Sequence, residues 1–355
     1  MPSEMPAGDA LWEIVKFRAR IRSILEQEGG ARNVVILAVD GIPYDLAVSS
    51  WKHARVERMR SVFPSTSSTA WLSSLTGLSV DEHGIPGVVF RLSHRDEALI
   101  NVFDYRGPGF SEFTNIFDDA TQLGYRSFSL AGDLVVLNCS WRDALLAGSL
   151  SIVKHPIYAT ANHQIEPPEP ALVCRALGES IRACFRQVPS GSAALVWCLI
   201  DVDLYVHYHG YDAHVLALLD ELERLALELA DDAVVLAHSD HGLTPTTNDS
   251  TLQELFDSIT VQHQCAMGGA GRARWLYPRP GGEQRLADVL LRRLPRTIAV
   301  RRASDMFQEG SQAHARVGEI VLIAESEEFV APSGYRFEHG SLTEREMSVP
   351  FARWA

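Results

Sequence analysis

The feature that most restricts how this chain can fold is a set of short apolar runs that stop abruptly at an acid or a histidine. Asn33–Val39 runs into Asp40, Ala193–Ile200 into Asp201 and Asp203, and 233–237 into His238, Asp240 and His241. Together with 126–130 and 319–324 they read as buried strands. Between them, 117–123, 170–188, 212–230 and 286–294 carry apolar residues at helical spacing, and the stripe Leu218, Leu219, Leu222, Leu225 and Leu229 marks a core-facing side. Leu11, Ile14, Val15, Phe17, Ile21, Ile24 and Leu25 follow Asp9, a capping residue, and predict an amphipathic helix over 9–28 on the outside of a sheet. Strands alternating with helices specify an α/β fold with a largely parallel central sheet. Residues 278–282 form a turn, and no internal repeat or linker divides the chain. The expectation is one domain over 1–355, with small cap insertions within 84–202 and 243–338.

Charge narrows the partners. The 32 basic residues against 45 acidic ones leave a formal charge of −13. The surface as a whole therefore repels polyanions, which excludes a nucleic-acid scaffold, while a small anion can still be held by a local cationic cleft or a bound metal. Arg292, Arg293, Arg296, Arg301 and Arg302 read as a solvated face. The longest apolar runs fall far short of the roughly 18 to 20 residues that span a bilayer. Residues 1–28 mix Glu4, Asp9, Glu13, Lys16, Arg18 and Arg20 with their apolar side chains, unlike the uninterrupted core of a signal peptide. Five cysteines without a CxxC pair suit reduced, mostly buried thiols and disfavour disulfides and cysteine-type zinc sites. The reading is a cytoplasmic protein without a membrane partner.

In an open α/β sheet the carboxyl ends of the strands line the ligand crevice. A single aspartate there can cap a turn or a helix. Three strand ends with aspartates, two of them joined by histidines, point to a metal site. Asp203 and His207 lie four apart, near enough to share a cation if the segment leaves its strand in a turn or helix, and Asp240 and His241 are adjacent. Carboxylate oxygen and imidazole nitrogen suit zinc, and manganese or iron less selectively.

A Ser/Thr cluster follows Pro64, and Ala70, Leu72 and Leu75 then lead at near-helical spacing to Thr76 and Gly77. The segment reads as a turn into a short helix with a glycine stop. Its hydroxyls have two readings: simple N-capping by Ser67 or Ser68, or a nucleophile at a helix N-terminus, where free N–H groups favour phosphate and a metal can deprotonate the alcohol. Local sequence leaves both open.

These residues resemble the alkaline phosphatase superfamily and, within it, the type I phosphodiesterase/nucleotide pyrophosphatase family. The resemblance rests on AVDG (38–41), FPSTS…LTG (63–77), DEHGIPG (81–87), DLYVHYHG (203–210), SDHG (239–242) and EHGSLTEREMSVP (338–350), in the family's order along almost the whole chain. GRARWLYPRPG (271–281) is similar to a stretch in bacterial members. The resemblance implies an alkaline phosphatase-like fold, a mostly parallel sheet with helices on both faces. It also implies two divalent ions, usually zinc, with manganese or iron as alternatives: Asp40, Ser67, Asp240 and His241 would hold one, and Asp203, His207 and His339 the other. The family's nucleophile lies three residues after the motif's proline, which here is Ser67; many members have threonine there.

Relatives often carry an asparagine shortly after the HGI segment, against a non-bridging phosphoryl oxygen, and the matching position here is Val88. Tyr205, His209 and Tyr211 flank the ligands and are candidates to supply that contact; packing beneath the ligand loop is their other reading. The implied activity is hydrolysis of phosphodiester or nucleotide pyrophosphate bonds through a covalent phospho-serine, on a small phosphorylated metabolite or nucleotide. The alternatives are a phosphomonoesterase or phosphonate hydrolase on the same scaffold, and a degenerate protein that only binds a nucleotide or a partner. A metal-dependent phosphomutase would need a phosphate-guiding cap, and the 27 residues from Asp40 to Ser67 leave no room for one there.

Overall fold

The computed structural model describes residues 11–93, 95–110, 112–132, 134, 137–152 and 167–354. Its centre is the strand Asn33–Val39, which sends Val34, Ile36 and Ala38 to one face and Val35, Leu37 and Val39 to the other, all fully buried. A strand apolar on both faces needs cover on both. It lies between Ala193–Ile200 and Ala233–His238 and runs parallel to each. Tyr125–Leu130 and then Leu150–Ser151 continue the parallel pairing beyond Ala193–Ile200. On the opposite side Ser348–Trp354 runs antiparallel between Ala233–His238 and Arg55–Arg60, and Trp12–Glu13 closes that edge. The eight-stranded sheet is thus mostly parallel with one reversed strand.

Helices cover both faces, as expected. Phe17–Glu28, Ser67–Thr76 and Ile116–Gln122 pack on the face of Val34 and Ile36, and Pro170–Phe185 and Ala213–Leu229 pack on the other. The leucine stripe from Leu218 to Leu229 faces the core.

One expectation is corrected. Only Phe17–Glu28 of the helix predicted over 9–28 is α-helical; Trp12–Glu13 is a strand and Ile14–Lys16 a 3-10 turn. Pairing with Met59 and Arg60, and the edge-on contact of Trp12 with Phe351 at 5.4 Å, override the helical spacing there. Asp9 lies outside the described residues. The run 319–324 does form a strand, Ile320–Ala324, but not in the central sheet. It pairs antiparallel with Ala273–Tyr277 and Ile298–Arg302 in a second sheet of six strands. A short apolar run records burial and not the direction of its neighbours.

The second sheet is completed by Ala266–Ala270, Val89–Phe90 and Ile100–Asn101. One face, with Leu276, Ile320 and Leu322, lies under the helices Ser250–His263 and Glu283–Arg293. The other sends Trp275, Val321 and Ile323 into the same core as the central sheet, so the two sheets are joined by continuous apolar packing. The five arginines from Arg292 to Arg302 are exposed, and the five cysteines are buried and unpaired. Among the described residues no helix is long and apolar enough to cross a membrane.

Candidate active site

Register brings the acids together. Val39 lies opposite Ile200 and Ala38 opposite His238, so Asp40, Asp203, Asp240 and His241 emerge at one carboxyl edge. Gly41 makes the first turn possible. It sits at φ +78, and a Cβ there would stand 2.8 Å from Leu243 Cδ1 and 3.2 Å from Asp203 Oδ1. Two trios result, Asp40 with Asp240 and His241, and Asp203 with His207 and His339, each with its ligand atoms within 4.8 Å of one another. In the first, His241 Nε2 lies 3.2 Å from Asp240 Oδ2 and 3.6 Å from Asp40 Oδ1. In the second, His207 Nε2 lies 3.1 Å from Asp203 Oδ2 and His339 Nε2 3.9 Å from Asp203 Oδ1. The rings of His241 and His339 stack at 3.9 Å, so the trios adjoin.

All three imidazoles are oriented alike. Nδ1 of His207 lies 2.8 Å from the Phe337 carbonyl, that of His339 2.9 Å from the Ser65 carbonyl and that of His241 3.3 Å from the Gly242 carbonyl. A ring that donates Nδ1–H to a carbonyl turns its Nε2 lone pair inward, the arrangement of a metal-ligating histidine. Charge adds to this. Burial, then Asp240 and Asp203, push the Asp40 carboxyl well up, and burial followed by Asp203 pushes Asp240 up to about 8. Burial would raise Asp203 too, but His207 and His339 hold it below the usual carboxylate range. Burial, then His339, pulls His241 well down; against burial, Asp203 and Glu338 raise His207 to about 9. Three carboxylates crowded in a buried site repel one another, and Oδ1 of Asp203 and Oδ2 of Asp240 accept no hydrogen bond. Orphaned oxygens, inward lone pairs and an O/N donor set all fit divalent cations.

Ser67 opens the helix Ser67–Thr76. Its Oγ lies 3.2 Å from His241 Nε2 and 3.3 and 3.4 Å from the two oxygens of Asp40. Neither Ser67 nor Ser68 caps this helix: Thr66 holds the N-cap position, without a side-chain cap bond. From Pro64 to Thr76 every residue except Ser67 is buried. Gly77, at φ +74, ends the helix as expected.

The surroundings of His339 are not read from the sequence. Ser65 Oγ donates to the Ser341 carbonyl at 2.9 Å and accepts from Gly340 N at 3.2 Å. Ser341 N donates to Glu346 at 2.6 Å, and Glu346 forms a fully buried ion pair with Arg272 at 2.7 Å. Arg272 N donates to the His339 carbonyl at 2.6 Å. Arg272 and Glu346 fall inside the segments 271–281 and 338–350, which is the signal that could have found them. Tyr335 stacks on His207 at 4.1 Å.

The candidate substrate contacts divide. Tyr211 is committed inward: its hydroxyl donates to the Gly41 carbonyl at 2.7 Å and accepts from Leu243 N at 2.8 Å. Tyr205 donates to Asp212 at 2.8 Å. Both therefore support the ligand loops, which is their packing reading. His209 stacks on Tyr205 at 4.4 Å and is exposed. Val88 packs at the edge of the core, with no polar group for a phosphoryl oxygen.

Residues 49–127 match the type I phosphodiesterase / nucleotide pyrophosphatase family. Among curated proteins no sequence matches the chain. Among solved structures, murine ectonucleotide pyrophosphatase / phosphodiesterase 5 in an inactive form with AMP superposes at a TM-score of 0.64 and 14% identity, covering 90% of this chain and 87% of that one. The human protein of that name gives 0.65 and 15%, with 90% and 87% covered. Phosphonoacetate hydrolase from Sinorhizobium meliloti 1021, in complex with phosphonoacetate, gives 0.64 and 18%, with 91% and 89% covered. This chain has the alkaline phosphatase-like fold. The resemblance drawn from its motifs is borne out, and the matched family stretch contains Ser67 and Val88, while the six Asp and His residues of the trios lie outside it.

Proposed function

We propose that this protein is a two-metal hydrolase of phosphodiester or nucleotide pyrophosphate bonds that works through a covalent phospho-serine at Ser67. Asp40, Ser67, Asp240 and His241 would hold one cation and Asp203, His207 and His339 the other, with zinc the expected metal. When bound, two such ions supply acidification of an alcohol and charge to offset the departing oxygen. Ser67 is the nucleophile: its Oγ forms the new bond to phosphorus, and the bond from phosphorus to the leaving oxygen breaks in line. Its helix adds first-turn N–H groups without intrahelical acceptors, aimed at the phosphoryl oxygens. Water then attacks the phospho-serine, and Ser67 recovers a proton as the phosphate leaves. The Nδ1 anchors of His207, His241 and His339 hold the imidazoles in place through both steps.

The observation that carries this reading is the placement of Ser67 Oγ, 3.2 Å from His241 Nε2 and 3.3 Å from Asp40, on the one residue of its segment that solvent reaches. The substrate class is a small phosphorylated metabolite or nucleotide, in line with the AMP and phosphonoacetate held by the structural relatives. Five buried, unpaired cysteines accord with the cytoplasm.

The test is zinc-supplemented hydrolysis of bis-p-nitrophenyl phosphate against p-nitrophenyl phosphate, with Ser67→Ala in parallel. Faster diester turnover that vanishes in the variant is the expected result. Val88, in place of an amide at the phosphoryl group, favours one second reading, a phosphonate hydrolase; release of phosphate from phosphonoacetate without diester turnover would establish it. No turnover on any of these esters, together with no bound metal, would leave a binding protein.

A further inference from the structure

Trp71 lies one turn beyond Ser67 on the same helix and is fully buried. Its indole Nε1–H donates to Oδ2 of Asp40 at 3.2 Å, while Oδ1 of that carboxylate faces His241 Nε2 at 3.6 Å. Core packing alone does not explain the bond, because the buried indole nitrogens of Trp12, Trp197 and Trp354 meet no acceptor and those of Trp51 and Trp141 reach only backbone carbonyls. The ring has little freedom to turn. Trp197 stands edge-on to it at 5.7 Å and His238 edge-on at 5.1 Å, and His238 is itself stacked on Phe17 at 3.9 Å.

We infer that Trp71 is a positioning residue that fixes Asp40 against the nucleophile's helix. This donor shares Oδ2 with the Ser67 hydroxyl at 3.3 Å, and being fixed in the core it holds the carboxylate against rotation, so Oδ1 stays turned toward His241. Because the donor rides on the helix that starts at Ser67, the same bond sets the distance between Ser67 Oγ and Asp40. An N–H donor suits this task in a site crowded with carboxylates, since it adds no charge and competes for no cation. The inference rests on the two-metal reading of the site, and its test separates the two.

Zinc affinity is measured by competition with a chromophoric chelator, and cobalt(II) is used as a spectroscopic probe, on the full chain as wild type, Trp71→Phe and Trp197→Phe. Loss of an outer-shell partner typically costs 10–100-fold in metal affinity or activity. Trp71→Phe should therefore weaken one of two zinc sites about tenfold, shift the cobalt visible bands and lower kcat on bis-p-nitrophenyl phosphate with KM kept. Trp197→Phe removes a ring of the same size from the same cage and should leave zinc affinity and the cobalt spectrum as in wild type. Equal zinc binding in wild type and Trp71→Phe, or equal losses in both variants, would overturn the role of Trp71. Wild-type protein that binds no zinc would overturn the two-metal reading itself. Should Trp71→Phe not fold, zinc is added to wild-type protein labelled with 15N-tryptophan: a shifted indole resonance supports the inference, and none that moves overturns it.

Discussion

The two trios adjoin but are held by different parts of the molecule. Asp40, Asp240 and His241 follow two neighbouring strands of the parallel sheet, whose ladder register fixes their spacing. Asp203 and His207 share one helical turn, Asp203–His209, but His339 reaches them from a distant segment. It is steadied by the pairing of Phe337–Glu338 with Thr244–Pro245, by the Ser65 carbonyl, and by the Arg272–Glu346 ion pair. The first trio is therefore as rigid as the central sheet. The second depends on a buried polar network that ties the second sheet to the loop before Ser67.

If this contrast is right, Arg272→Ala should have the largest effect on it. It leaves the Glu346 carboxylate buried without its partner, at a cost of about 3–5 kcal/mol. Urea unfolding should read that loss, and zinc titration should find the Asp203 trio weakened while the Asp40 trio still binds. Equal weakening of both would break the comparison.

Metal removal addresses the other half. Zinc at about 1,000 times its Kd should stabilise the fold by about 4 kcal/mol per site. Without zinc, stability should fall as pH rises from about 6.5 to about 8, because the folded protein keeps on Asp240 a proton that the unfolded chain has released, while the opposing gain from His83, His238 and His241, buried and held well below the usual imidazole range, falls below that window. Melting temperatures at pH 5, 6.5 and 8, with and without chelator, should diverge most at pH 8, and Asp240→Asn should flatten the chelated profile. A chelated protein that gains stability over this window would show that the carboxylates do not repel as argued.

Smaller effects sharpen the picture. Ser65→Ala removes the hydroxyl between Ser341 and Gly340, costs about 1–2 kcal/mol, and should lower zinc affinity at the His339 trio alone. Tyr211→Phe should cost about 1 kcal/mol in thermal unfolding and leave KM unchanged. A steep rise in KM would return Tyr211 to the substrate.

The same contrast governs what the sequence reveals. Strand ends near their partners in space carry a local signal: Asp40, Asp203, Asp240 and His241 are legible because an apolar run delivers each to the sheet edge, and Asp203 with His207 because a helix repeats at that spacing. His339 has no such run before it, and only the resemblance over 338–350 implied it. Ser67 was equally open to capping on local grounds; the turn of its Oγ toward Asp40 and His241 depends on chain 174 residues away. Arg55–Arg60 and Ser348–Trp354 carry no such signal because charged residues or a proline interrupt them, and the run at Ile320–Ala324 records burial but not which sheet it joins. Trp71 reads as one more apolar residue of an ordinary helix until its nitrogen is seen to face a carboxylate.

The reversed strand of the central sheet also sets an order of events during synthesis. Ser348–Trp354 is wedged between Arg55–Arg60 and Ala233–His238, and Arg58 and Ser348, hydrogen-bonded at 2.6 Å, are 290 residues apart. At translation rates of about 5–20 residues per second, roughly 15–60 s separate the emergence of these partners. For that interval Arg55–Arg60 lacks its neighbour on one edge, and over the last 110 residues of it Ala233–His238 does too, so the nascent chain then carries two open strand edges of the kind that pair with the wrong segment. The central sheet therefore closes only once Ser348–Trp354 has been made.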